Sequence, residues 1–194
     1  MKKRIEIILV VIGVALLFVF ACKNTRGRNE YFFKESENKI RYELRCHFQN
    51  DFSGTAYVLV TEVKCLEEGT LYEIKIDADE AECYAYDRFQ LGYFFVTEEQ
   101  IFRVSEELLE QDAEEWAKTE NVICQEEEME DAVEGKGWHK YICIVDEKCE
   151  FHSYNDMVET GFYENFTWEK GKGLVEYRSG YGAEKDAIYL RLCE

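Results

Sequence analysis

The chain of 194 residues contains no proline. A rigid proline-rich stalk between an anchor and a folded domain is therefore excluded. Histidine is scarce: His47, His139 and His152 are the only three, and no two have the i, i+4 spacing of a helical metal site. Cysteine is not scarce, but none of the eight forms a C-x-x-C pair, which removes thioredoxin-like motifs and zinc-ribbon knuckles. Positive charge is in short supply, with 23 basic residues against 41 acidic ones and a net charge of −18. Such a chain is a poor electrostatic match for nucleic acid or anionic lipid headgroups. No G-x-S-x-G elbow exists; Ser53-Gly54 and Ser179-Gly180 are turn contexts. Gly171-Lys172-Gly173 lacks the glycine spacing and the Lys-Ser/Thr ending of a phosphate loop. Carboxylates are too numerous for one pair to be singled out, so no catalytic residue, metal site or cofactor is assigned.

What is present begins at the first residue. Lys2, Lys3 and Arg4 lead into an apolar run, Ile7 to Ala21, which stops at Val19-Phe20-Ala21-Cys22. Fifteen residues suit a signal h-region and fall short of the roughly 20 that a spanning helix needs. Small Ala21 before Cys22 predicts a lipoprotein signal peptide over 1–22, with Cys22 carrying the lipid. Phe20 departs from the small residue usual there, and Lys23, Arg26 and Arg28 blur the charge asymmetry that orients such segments. An uncleaved anchor helix is the alternative. A diacylglyceryl unit brings two chains, enough for stable anchoring where one is marginal. The expected location is the extracytoplasmic face of the cell membrane. A polar tether over 23–30 and a single domain over 31–194 follow, the latter large enough to bury a core unaided.

Two-residue periodicity dominates that domain. From Lys39 to Phe48, Ile40, Tyr42, Leu44, Cys46 and Phe48 alternate with charged or polar neighbours, predicting a strand with one dry and one wet face. Thr55–Val63 reads as a more central strand, and Leu71–Ile76 as another. Hairpins are expected for 92–96 with 100–104, for 138–145 with 148–154, and for 162–168 with 173–177. In the last of these Gly171 supplies the left-handed turn residue. A final strand spans Ala187 to Cys193. One helix is predicted, Glu106–Lys118, capped by Ser105 and burying Leu109, Ala113, Trp116 and Ala117. A shorter one around Glu126–Val133 has weaker support. The fold expected is α+β: a meandering antiparallel sheet, or half-barrel, with one covering helix.

Glu106–Glu134 holds thirteen acidic residues and only Lys118 as a base. This block reads as a solvated face rather than a cation site. Asp77-Ala78-Asp79-Glu80-Ala81-Glu82 lacks the glycine and the ligand spacing of an EF-hand loop. Seven cysteines besides Cys22 read mainly as buried, reduced thiols, since free cysteine packs as a small hydrophobe. Cys143 and Cys149, flanking a turn at Asp146-Glu147, are the expected pair if a disulfide forms.

Trp168, the Gly171-Lys172-Gly173-Leu174 turn and Tyr177-Arg178-Ser179-Gly180-Tyr181-Gly182-Ala183 form a distinctive C-terminal run. It resembles that of small uncharacterised lipoproteins of clostridia and related Gram-positive bacteria, as do Leu91–Val96 with Gln100–Val104. The resemblance covers about a third of the chain. It implies location and β architecture, and no activity. Within this run Tyr177, Arg178 and Tyr181 are the candidates for an aromatic-cationic rim contacting a ligand or partner. The function expected is a membrane-tethered, non-enzymatic binding or interaction module, with an extracytoplasmic enzyme as the alternative. A binding module predicts an exposed apolar patch; an enzyme predicts a cleft with converging, perturbed polar groups.

Overall fold

A computed structural model describes residues 29–34, 38–47, 51–78, 90–182 and 186–193. The expected signal segment, Cys22, Cys83 and most of the Asp77–Glu82 stretch lie outside these residues. Eleven strands form one antiparallel sheet: β1 (Lys39–His47), β2 (Asp51–Cys65), β3 (Thr70–Asp77), β4 (Gln90–Val96), β5 (Ile101–Val104), β6 (Val122–Cys124), β7 (Trp138–Val145), β8 (Lys148–Asn155), β9 (Phe162–Glu169), β10 (Gly173–Tyr181) and β11 (Asp186–Leu192). The order β6-β5-β4-β3-β2-β1-β11-β10-β9-β8-β7 is two meanders joined where the first and last strands pair. The sheet curls into a nearly closed barrel whose seam lies between the edges of β6 and β7.

The predicted alternation of β1 is realised: Tyr42, Leu44 and Cys46 are buried in the barrel, while Arg41 and Arg45 face water. Inward residues of distant strands then meet across the interior. Phe94 of β4 lies 5.9 Å from Phe166 and 6.1 Å from Trp168 of β9, both edge-on. Trp168 stacks on Phe166 at 6.4 Å and is itself fully buried. Such aromatic pairs add packing energy beyond the area they bury.

One end of the barrel is capped by the segment that enters it. Tyr31, Phe32 and Phe33 are buried, and Phe32 and Phe33 both rest against Trp168. Asn29, within the expected tether, is already part of this cap: its side-chain amide donates to the Thr97 carbonyl at 3.1 Å. The Gly171 N–H donates to the Glu30 carbonyl at 2.7 Å, tying the cap to the β9–β10 turn. Gly171 takes the left-handed conformation expected of it, at φ 76°. Gly173 has φ 87°, and a Cβ there would meet the Phe33 ring at 2.5 Å.

The helical expectation is corrected. Glu106–Leu108 forms a single 3-10 turn, and only Ala113–Trp116 (α1) is α-helical, followed by a second 3-10 turn at Thr119–Asn121. Asp112 is extended (ψ 175°) and caps α1 by accepting the Glu115 N–H, so the chain restarts there rather than continuing from Ser105. The Trp116 indole N–H reaches back to the Leu108 carbonyl at 2.6 Å, fixing the break. Six acidic side chains between Glu106 and Glu115 also repel at helical spacing. The stretch around Glu126–Val133 is not helical; Met129 instead exchanges two backbone hydrogen bonds with Ile142 of β7. No helix among the described residues is long and apolar enough to cross a membrane.

Candidate functional site

The uncapped end is where β5, β8 and β10 finish and β7 and β9 begin. Here Trp138, Phe162 and Tyr181 share the inward parity of their strands yet lie beyond the filled interior. Their rings form a strip, with centroids 6.3 Å apart for Trp138–Phe162 and 5.3 Å for Phe162–Tyr181. Trp138 is 44% exposed and Tyr181 51%, and the adjoining β8–β9 loop adds Met157 at 59% and Val158 at 58%. An exposed apolar cluster of this kind is the informative exception on a soluble surface, where isolated apolar side chains are ordinary. The β8–β9 loop also carries the carboxylates Asp156 and Glu159, while Asp186 and Asp131 are paired on the outer face with Arg178 and His139 respectively.

Beneath the strip is a polar layer. Arg103 points inward from β5 between the Phe94 and Phe166 rings, 5.6 and 5.3 Å from their centroids. It pairs with Glu164 of β9 at 2.8 Å, and the Tyr177 hydroxyl donates to the same carboxylate oxygen at 2.9 Å. Burial and the adjacent carboxylate push the Tyr177 phenol upward, keeping it a neutral donor. Burial works against the Arg103 charge, but Glu164 and Tyr177 outweigh it and raise its pKa. Ser153 accepts the Trp138 indole N–H at 2.7 Å, which fixes the ring at the barrel opening.

Strand parity separates Arg178 from Tyr177 and Tyr181, and depth in the barrel separates the two tyrosines. Tyr177 is buried inside the barrel. Arg178 faces outward, where both oxygens of Asp186 hold it at 3.0–3.1 Å. Tyr181 alone reaches the opening. Cys143 and Cys149, the expected disulfide pair, are likewise on opposite faces. Cys143 is in register with Glu150 and Ile144 with Cys149, so Cys149 faces the interior and Cys143 the outside, and both are free thiols. A bond between them cannot form in this register.

A second cluster lies on the outer face of β7 and β8. His139 is 6% exposed, its ring stacked 4.6 Å over Tyr154. Its Nδ1 contacts Asp131 at 2.5 Å. Asp156 lies 3.2 Å from Nε2, an ion pair when the ring is protonated, and also accepts the Gly137 N–H at 2.7 Å. The bond to Asp131 raises the His139 pKa. Asp131 and Asp156 are both lowered, first by the N–H groups of Val133 and Gly137 respectively and then by His139. Asp131 comes from the connection after β6 and Asp156 from the loop after β8, so the imidazole straps both to the wall. A depression of about 480 Å³ adjoins, lined by Glu128, Met129, Asp131, Tyr141, Cys143 and Tyr154. His152 shares this face, stacked 4.7 Å on Tyr141. Among the described residues no group of three or more His, Cys, Asp or Glu could hold a metal ion.

No family model matches the chain, and no curated protein or solved structure matches it either.

Proposed function

We propose that the protein is a lipid-tethered, extracytoplasmic, non-enzymatic binding module that takes a protein partner at the open end of its barrel. The observation that carries this reading is the clustering of Trp138, Met157, Val158 and Tyr181 as exposed apolar groups at one end. Asp156 and Glu159 in the adjoining loop, with the chain's net charge of −18, favour a partner whose apolar contact segment is flanked by basic residues. The inward polar groups are spent on one another, Arg103 with Glu164 and Glu164 with Tyr177, which supports binding over catalysis.

The tether fits the same picture. The chain enters at the capped end, through Asn29. Seven residues from Cys22 to Asn29 span at most about 25 Å. An anchor on Cys22 therefore holds the capped end near the bilayer and turns the aromatic strip away from it. The C-terminal resemblance to clostridial lipoproteins agrees with this address.

Two experiments test the two halves. Labelled palmitate should enter the protein and be lost in a Cys22→Ser variant; equal labelling of both refutes the anchor. Replacing Trp138, Met157 and Tyr181 with serine should leave the fold intact and abolish recovery of a membrane-fraction partner. Undiminished recovery refutes the binding surface.

A further inference from the structure

The barrel wall is continuous except at its seam, where the β6 and β7 edges are not paired with each other. Met129 bridges to Ile142 on the β7 side. Where β6 ends, its last residue, Cys124, meets Cys149 near the start of β8. Both side chains are completely buried. β6 packs against β8 across this seam, and the two thiols are near enough to perturb each other's ionisation. Tyr31 of the cap lies beside the pair, and Cys149 is in register with Trp168. Two buried thiols thus lie close together where the wall has no backbone ladder, on segments 25 positions apart in the chain.

From this juxtaposition the structure assigns Cys124 and Cys149 as a disulfide-forming pair that clasps the seam of the barrel. Nothing in the pattern of strands requires two cysteines there; a pair of small apolar residues would fill the same space. The nucleophile in exchange is a thiolate, here that of Cys149. The reaction needs an external disulfide as oxidant, and oxidised glutathione serves. The Cys149 thiolate attacks one glutathione sulfur, forming a mixed disulfide and releasing one glutathione thiolate. Cys124, as thiolate, then attacks the Cys149 sulfur, forming the S–S bond and releasing the second. Two protein thiols are oxidised, one disulfide is reduced to two glutathione thiols, and the two cysteine protons pass to the released thiolates. Because both sulfurs are buried in the finished barrel, exchange takes place while the seam is open, during folding.

The test refolds the full chain in detergent micelles with reduced and oxidised glutathione, blocks free thiols with N-ethylmaleimide and maps peptides without reduction. The expected result is one linked species containing Cys124 and Cys149, with neither labelled. Reduction should then lower the Tm by roughly 5–10 °C, as expected for a loop of this length. A Cys143→Ser variant should keep the link and a Cys124→Ser variant should lose both the link and the redox dependence of Tm. Labelling of both Cys124 and Cys149, or linkage of either to another cysteine, overturns the assignment. The map of the unmodified chain decides the matter even if Cys124→Ser fails to fold.

Discussion

The Arg103–Glu164 pair is the only inward ion pair among the described residues, and its energetics follow from its position. The two charges are 2.8 Å apart, with side chains 31% and 19% exposed. At an effective dielectric of about 20 the bare attraction is roughly 6 kcal/mol, most of which desolvation of both ions offsets. Fully exposed pairs are worth about 0.2–1 kcal/mol, whereas removing one member of a buried pair costs about 3–5 kcal/mol. This pair lies between those limits, so Glu164→Gln should cost about 2 kcal/mol. The amide oxygen can still accept the Tyr177 hydroxyl, so the loss reports on Arg103 alone. Arg103→Met should cost about the same, because the aromatic rings on either side accommodate its stem. The double variant should recover about 1.5 kcal/mol relative to the sum. Urea unfolding, followed by tryptophan fluorescence, gives all three values. Additivity within about 0.5 kcal/mol would refute the coupling and with it the polar layer as a unit.

Two other expectations follow from the cap and the outer face. Gly173→Ala should destabilise by about 3 kcal/mol, from the left-handed backbone and the collision with Phe33, and should expose Asn29–Phe33 to proteolysis ahead of global unfolding; an unchanged cleavage pattern would deny the cap its role. The folded-state pKa of His139 is raised above its ordinary 6.5, so its contribution is complete below that value and fades as pH climbs through the higher folded value. Asp131 and Asp156 are lowered, so theirs is present above about pH 4 and fades as pH falls through the folded values. Wild type and His139→Gln should therefore differ most in Tm between about pH 4 and 6.5 and converge at alkaline pH; a constant difference across that range would contradict the strap.

Most of the wall was legible because one dry face imposes a period of two. In β1 that period places Tyr42, Leu44 and Cys46 inside without reference to any other strand. The same rule also carried the information that separates Tyr177 from Arg178, since adjacent residues of a strand cannot share a face. The helix failed for a local reason. The apolar spacing of Leu109, Ala113 and Trp116 suits a helix, but an indole hydrogen bond to Leu108 and the Asp112 cap outweigh it. β6 was missed because three buried residues show no period. Contacts between distant segments left no trace in a single sequence: β1 with β11, Arg103 with Glu164 across 61 positions, and Cys124 with Cys149. The aromatic strip is of the same kind, since Trp138, Phe162 and Tyr181 come from three strands that only pairing aligns.

The central claim is that partners are met at the open end, away from the membrane. Photo-crosslinking amino acids placed at Trp138 and Tyr181, and separately at Val63 and Val145 near the capped end, test it on intact cells. All four positions are 44–51% exposed, so accessibility does not distinguish them. Protein adducts from Trp138 and Tyr181 alone are the predicted result. Adducts of equal yield from all four positions, or from Val63 and Val145 alone, would contradict it.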